Sequence, residues 1–444
     1  MKVLVADTIG EEGISILQGC AEVDIRPGLG PEELISIIGD YDALVVRSQT
    51  QVTRDVIEAG KKLQIIARAG VGVDNIDVDE ATRRGIVVVN APTGNTTAAA
   101  EHTIALMLAL ARHIPQANAV LKAGEWRRND FTGIEVRNRT MGIIGLGNVG
   151  SEVARRARGL EMKVIAYDPF ISVDFARNFQ VELVTKERLL KESDFITLHI
   201  PLTASTKRMI GTKELALVKP SVRIINTARG GLIDEEALVK AMDEGRVAGA
   251  AFDVFTTEPI TSSILFENDN IIVTPHLGAS TTEAQAMVAE DVAEQIVAVF
   301  KGQPARYAVN APLISIDTMS VLMPFIRAAT IAGRLVAQLV QGQMSSIRIK
   351  YEGDIASYDT NALRAAVLGG LLEGVSEERV NLVNANIVAA RRGLTVVEQT
   401  DATCENYASL ITAEVTTSTD TVNVATTPFR GEIHIVRVND YWVD

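Results

Sequence analysis

One segment limits the possible folds of this chain more than any other. The apolar run Thr140-Met141-Gly142-Ile143-Ile144 opens directly into Gly145-Leu146-Gly147-Asn148-Val149-Gly150. A strand that runs into Gly-x-Gly-x-x-Gly at the start of a helix turns tightly at the first glycine. It lets a pyrophosphate approach the backbone at the second and packs helix on strand at the third. Five more short apolar runs follow, and each ends in a residue that chemistry can use. Residues 163–167 end at Asp168, 195–198 at His199 and 223–227 at Arg229. Residues 247–252 end at Asp253, with Glu258 just beyond, and 271–274 end at Pro275-His276. Ligands bind at the carboxyl ends of strands in an open parallel sheet, so six such ends in succession predict one active-site crevice.

The length, 444 residues, calls for several domains. A hydrophobic share of 47% with 22% charged residues suits filled cores. The net charge of −13 argues against nucleic acid or an acidic membrane as partner, although a local arginine cluster could still grip an anionic substrate. Cys20 and Cys404, the only cysteines, fit a reducing compartment better than a disulfide framework. The start, Met1-Lys2-Val3-Leu4-Val5, runs straight into a strand pattern with no signal-peptide character, and the longest unbroken apolar run, 104–111, is too short to cross a bilayer. These features predict a cytoplasmic enzyme with no membrane or nucleic-acid partner and no metal.

Short β-branched runs alternate with helical stretches over the first ~95 residues. Strands are expected at 3–6, 22–25, 43–46, 65–67 and 86–89, and helices at 31–38 and 54–59, which implies a covered parallel sheet. Residues 95–113 predict a long helix, capped by Thr96 or Thr97 and buried all round. Residues 281–301 predict another, returning to the first lobe. After Pro304 the pattern changes to helices at 313–342, 361–372 and 380–392, and strands at 346–351, 410–416, 421–427 and 432–438, with hairpin turns at 418–420 and 439–440.

Asp168 lies at the end of the strand after the glycine loop, where a carboxylate accepts from ribose hydroxyls and repels a 2′-phosphate. NAD is therefore expected rather than NADP. His276 is suited to take an alcohol proton, Glu258 to orient and charge-balance it, and Arg229 to grip a substrate carboxylate.

Four segments carry a family resemblance: Ala67-Arg68-Ala69-Gly70-Val71-Gly72-Val73-Asp74-Asn75-Ile76-Asp77, Thr227-Ala228-Arg229-Gly230-Gly231-Leu232-Ile233-Asp234, Phe252-Asp253-Val254-Phe255 through Glu258-Pro259, and Thr274-Pro275-His276-Leu277-Gly278. They resemble the D-isomer-specific 2-hydroxyacid dehydrogenases over residues 1 to ~306. The resemblance implies that Arg229, Glu258 and His276 are catalytic and that Asp253 bonds the nicotinamide carboxamide. It implies a cofactor site formed by Gly145, Gly147, Asn148, Val149, Gly150, Asp168, His199, Pro201, Thr227, Ala228 and Asp253. It places Arg47, Ser48, Ala69, Gly70, Val71, Gly72 and Asn95 toward the substrate.

Val45-Val46-Arg47-Ser48 and the 126–135 segment resemble the branch of the family that acts on 3-phosphoglycerate, in which Trp126 and Arg128 would belong to a neighbouring subunit's site. Tyr351-Glu352-Gly353, Tyr358-Asp359-Thr360, 380–385 and Arg430-Gly431-Glu432 resemble the intervening domain of that branch's long forms. Those forms continue into a small amino-acid-binding domain. This chain stops at Asp444, about where that domain would begin, as a shortened chain or a form without the sensor would. Lys350, Arg391 and Arg392 could serve an accessory anion site, or a solvated charged face.

The expected architecture is α/β: two doubly wound parallel-sheet lobes, one flavodoxin-like for substrate (1–95 and 283–306) and one Rossmann lobe for NAD (96–282), followed by a C-terminal α+β domain (307–444). The expected activity is NAD-dependent oxidation of D-3-phosphoglycerate to 3-phosphohydroxypyruvate, the entry to serine synthesis, by a homodimer or homotetramer. Other 2-hydroxy acids such as glycerate, lactate or glyoxylate are the alternative substrates, and a non-catalytic NADH sensor is the alternative of another class.

Overall fold

A computed structural model describes residues 1–443 apart from 313, 315, 377 and 378. Five parallel strands form the first sheet: β1 (Lys2–Val5), β2 (Glu22–Ile25), β3 (Ala43–Val46), β4 (Ile65–Arg68) and β5 (Val87–Val89). Their order β2-β1-β3-β4-β5 is the flavodoxin-like one. The central strands are buried on both faces, which is why they read as unbroken apolar runs. One face is covered in part by the helix Thr282–Phe300, whose Val288, Val292 and Ile296 share a core with Val3, Val5 and Val45.

The second sheet holds β6 (Thr140–Ile144), β7 (Lys163–Tyr167), β8 (Glu182–Leu183), β9 (Phe195–Leu198), β10 (Arg223–Asn226), β11 (Gly249–Phe252) and β12 (Ile271–Val273). The order is β12-β11-β10-β9-β6-β7-β8, all parallel. The two-residue β8 adds a seventh strand to the six expected; it is too short to show a pattern. The helix Thr96–Arg112 buries one face rather than its whole circumference, because Glu101 and Ala105 stay exposed. Its N-cap is Asn95, not Thr96 or Thr97, and no side chain caps it.

The third sheet follows the order β14-β13-β15-β16-β17-β18. It comprises β13 (Met344–Gly353), β14 (Thr395–Asp401), β15 (Ser409–Thr417), β16 (Thr421–Phe429), β17 (Glu432–Val438) and β18 (Tyr441–Trp442). Only β13 and β14 run parallel. The helices Ile316–Leu339 and Asn361–Glu373 pack on it around Tyr351, Leu363 and Ile411. Ile316–Leu339 has the length and composition of a membrane span from Asp317 onward, but Leu322, Ile326, Ala329 and Val336 are committed to this core. The expected start of that helix at 313 lies outside the described residues.

The helix expected at 380–392 begins only at Ala385. Residues 381–384 form a turn whose side chains are bound instead: Asn381 Nδ2 donates to Gly85 O at 2.7 Å and Asn384 Nδ2 to Arg379 O at 2.8 Å. Gly85 sits at φ +67 and a side chain there would meet Asn384, so the turn closes against the first sheet's helix–strand connection. Two of the anion-site candidates have protein partners: Lys350 bonds Glu352 at 2.7 Å, and Arg392 donates to Val375 O at 2.9 Å.

Candidate active site

The chain crosses from one side of the second sheet to the other between β6 and β9, whose ends lie side by side through the pair Ile144–Leu198. Such a switch point leaves a crevice. The three glycines after β6 do different work. Gly145 has φ +93, and a Cβ there would sit 2.5 Å from His199 O. Gly150 allows no Cβ because Gly145 O would be 2.0 Å away. Gly147, the N-cap of the helix Asn148–Gly159, has φ −73 and nothing within 4 Å of a Cβ. The first and third glycines build the loop, and the second keeps its surface open, as a pyrophosphate site requires. Asp168 braces the same loop: its Oδ2 accepts from Leu146 N at 2.8 Å and its Oδ1 from Phe170 N at 2.9 Å.

His199 is bonded through Nε2 to Thr197 Oγ1 at 3.0 Å. The residue keeps some surface, yet its ring is enclosed, and loss of hydration pushes its pKa down to about 3. A histidine with a folded pKa below the ordinary 6.5 binds its proton more readily when unfolded, so it removes stability as pH falls from 6.5 toward 3. Replacement His199→Phe is therefore expected to narrow the acid-side loss of folding free energy. Chemical denaturation at pH 7 and pH 4.5 checks this: the stability difference between variant and parent should shift toward the variant at the lower pH. An unchanged difference would refute it.

Strands β10, β11 and β12 are neighbours with Asn226 paired to Phe252 and Phe252 to Val273, so the residues after them meet. Asn226, 1% exposed, shapes the first turn: its Oδ1 accepts from Ala228 N at 3.1 Å and its Nδ2 donates to Arg229 O at 2.8 Å. Arg229 donates from Nη1 to Ala228 O at 2.6 Å. Gly230 is required where it stands, because a Cβ would lie 2.0 Å from the Phe255 carbonyl.

His276 Nδ1 lies 2.6 Å from Glu258 Oε2, and Glu258 Oε1 accepts from Phe255 N at 2.9 Å. Burial would raise the Glu258 pKa, but the His276 bond and the Phe255 amide outweigh it and hold the carboxyl below its ordinary range. His276 adopts φ +56, uncommon for a residue other than glycine, and is fastened there by its own N–H to Asp253 O at 2.8 Å.

Asp253, which the resemblance sets against the nicotinamide carboxamide, is buried and collects donors from its own turn. Oδ1 accepts from Thr274 Oγ1 at 2.6 Å and Leu277 N at 2.7 Å, and Oδ2 from Gly278 N at 2.8 Å. His102 Nε2 is 3.1 Å from Oδ1. Burial alone would raise its pKa; the His102 and Thr274 bonds and the Leu277 amide keep it low. This carboxylate builds the turn that carries His276.

On the first sheet, Arg47 and Ala69 follow the paired ends of β3 and β4, and Ala69 N donates to Val46 O. The loop with Arg47 and exposed Ser48 is held by two residues to which the sequence assigned no role. Buried Asp7 accepts from Arg47 N at 2.6 Å and Thr50 Oγ1 at 2.7 Å, and Asn75 Nδ2 donates to Arg47 O at 2.7 Å. Gly70 has φ +154, so the 69–72 loop needs a glycine there. In the other unit, Asn95 leaves a buried Oδ1 without a protein partner. Trp126 is 81% exposed, and the helix Ile114–Lys122 beside it buries no residue. Arg128 lines a groove of about 860 Å³ with Arg112, Phe131, Glu135 and Arg137.

Two family models match: "D-isomer specific 2-hydroxyacid dehydrogenase, NAD binding domain" over residues 104–278 and "D-3-phosphoglycerate dehydrogenase intervening domain" over residues 321–439. A D-3-phosphoglycerate dehydrogenase of Synechocystis sp. is 49% identical over 442 residues, 99% of this chain and 80% of the relative. The chain belongs to the D-3-phosphoglycerate dehydrogenase family. A member of this family from Archaeoglobus fulgidus is 45% identical over 100% of the chain and 85% of its own length. Among solved structures, D-lactate dehydrogenase from Escherichia coli aligns with a TM-score of 0.63 and 28% identity over 70% of this chain and all of that one. D-lactate dehydrogenase from Aquifex aeolicus, complexed with NAD and lactic acid, aligns at 0.61 and 28% over 68% of this chain and 96% of that one.

Proposed function

We propose that this chain oxidises D-3-phosphoglycerate to 3-phosphohydroxypyruvate with NAD, the step that opens serine synthesis. The observation that carries the reading is the 2.6 Å His276–Glu258 pair at adjoining strand ends, in a chain that matches its phosphoglycerate-oxidising relatives along nearly its whole length.

The residues fit NAD. The open Gly147 surface and the helix that follows suit a pyrophosphate, with Asn148 and Val149 supplying the first helical turn. Asp168 would hold the ribose hydroxyls and reject a 2′-phosphate. His199, Pro201, Thr227 and Ala228 would flank the cofactor. When bound, NAD supplies the hydride acceptor.

The protein's own residues do the rest. His276 takes the proton of the C2 hydroxyl through Nε2, since Nδ1 is committed to Glu258. The Glu258 carboxylate stabilises the imidazolium that forms. The Arg229 guanidinium grips the substrate carboxylate, assisted by the amides of Ala69, Gly70, Val71 and Gly72. Arg47, with Ser48 and Asn95, would favour the phosphorylated substrate. Asp253 would bond the nicotinamide carboxamide, and it also builds the turn that carries His276. We read residues 1–95 and 283–306 as the substrate domain, 96–282 as the NAD domain and 307–444 as the intervening domain.

The test is a steady-state comparison of 3-phosphoglycerate with glycerate, lactate and glyoxylate. A kcat/KM at least about 100-fold higher for the phosphorylated acid is expected, the worth of one or two charge-assisted bonds; equal values would overturn the substrate assignment. Arg47→Ala is expected to raise KM for 3-phosphoglycerate by about 10- to 100-fold with little change for glycerate. A parallel rise for both would remove Arg47 from phosphate recognition.

We further propose a cytoplasmic homodimer or homotetramer that covers the helix Ile114–Lys122 and Trp126, with Trp126 and Arg128 serving the neighbouring subunit. Two free cysteines support the compartment. Exposed Ile114, Leu121 and Trp126 support the interface. Light scattering of Trp126→Asp and its parent tests the assembly: a smaller species is expected, and an unchanged mass would place the interface elsewhere.

A further inference from the structure

His102 stands in the second turn of the helix Thr96–Arg112, and no role has been assigned to it above. Its Nε2 lies 3.1 Å from both Asp253 Oδ1 and Thr274 Oγ1. The Thr274 hydroxyl proton is committed to Asp253 at 2.6 Å, and an ionised carboxylate offers no proton. The His102 Nε2 must therefore carry a hydrogen and donate it. The imidazole is 19% exposed and the carboxylate it meets is fully buried.

The geometry around that carboxylate is directional. Thr274 precedes His276 and is bonded to Asp253; Leu277 and Gly278 follow it and are bonded to Asp253 through their amides. The His276 amide is bonded to the Asp253 carbonyl. The left-handed backbone of His276 is thus clamped on both sides by one residue, and His102 is the donor that ties this residue to the helix. The turn also passes close to the helix, since a Cβ added at Gly278 would lie 4.0 Å from Ala99 Cβ. Next along the helix, Thr103 bonds Thr227 Oγ1 at 2.7 Å and so reaches the end of β10.

We infer that His102 is a positioning residue for proton transfer, holding Asp253 so that the 274–278 turn presents His276 to the substrate. This rests on the reading of His276 as the base. The titratable groups around Asp253 are His102 from the helix and Glu258, which is itself bonded to His276.

The test uses full-length His102→Leu, which keeps most of the volume and loses the donor, and His102→Gln, whose amide restores one. Thr274→Val removes the neighbouring donor to the same carboxylate and serves if His102→Leu does not fold. Leu and Val variants are expected to lower kcat by about 10- to 100-fold, the effect of a slightly misplaced catalytic group. KM for 3-phosphoglycerate and NADH affinity should stay within about threefold, and Gln should recover most of the loss. The ring resonances of His276, one of five histidines in the chain, should move in Leu and Val and return in Gln; this readout needs no turnover. An unchanged kcat in both Leu and Val, or a loss that Gln does not relieve, would overturn the inference. If the parent protein fails to oxidise 3-phosphoglycerate while the His276 resonances respond as stated, the substrate reading fails and the positioning role stands.

Discussion

Replacing His276 with Asn is expected to reduce kcat for 3-phosphoglycerate oxidation by about 100- to 10,000-fold, the usual contribution of a positioned base. Asn is the informative choice for two reasons. The position has φ +56, which Asn tolerates better than Ala, so the turn should survive. The Asn amide can still donate toward Glu258 but cannot accept a proton near neutral pH. NADH affinity and melting temperature should therefore stay close to those of the parent, and only the chemical step should suffer. Turnover within about tenfold of the parent would remove His276 from the role of base. Acid should have a related effect. The Glu258 carboxyl lies below its ordinary range in the fold, so its pairing contributes stability above the unfolded value and loses it as pH falls through the lowered one.

The second large effect separates glycines that build from glycines that bind. Gly147→Val is expected to weaken NADH binding by at least about 100-fold, as a branched side chain displaces a pyrophosphate from the backbone. The fold should tolerate it, because φ is −73 and a Cβ there has no neighbour within 4 Å. Gly150→Ala should behave the other way. Its Cβ would sit 2.0 Å from Gly145 O, so the loop must shift and the melting temperature should fall. Fluorescence titration with NADH and thermal melting of both variants check this. A Gly147→Val protein that binds NADH normally would place the cofactor elsewhere.

Much of the scaffold was legible because parallel strands buried on both faces read as plain apolar runs. The strands 22–25, 43–46, 140–144, 163–167 and 195–198 have the boundaries read from sequence. The C-terminal region was less legible. The edge strand β14 is mostly exposed and polar, so no alternation marks it. The 381–384 turn looks helical in sequence until its asparagines are seen to bond the backbone around Gly85 and Arg379.

The same division runs through the candidate site. The sequence by itself determined the glycine loop, Asp168 and the residues at the ends of β10, β11 and β12, since strand ends follow from local pattern. Only the tertiary structure decided what holds them. Asp7 and Asn75 brace the Arg47 loop, and Asp253 serves its own turn with His102 donating to it from a helix. Such partners leave no periodic trace. A buried carboxylate must collect donors from wherever the chain brings them, and that depends on packing between residues distant in sequence.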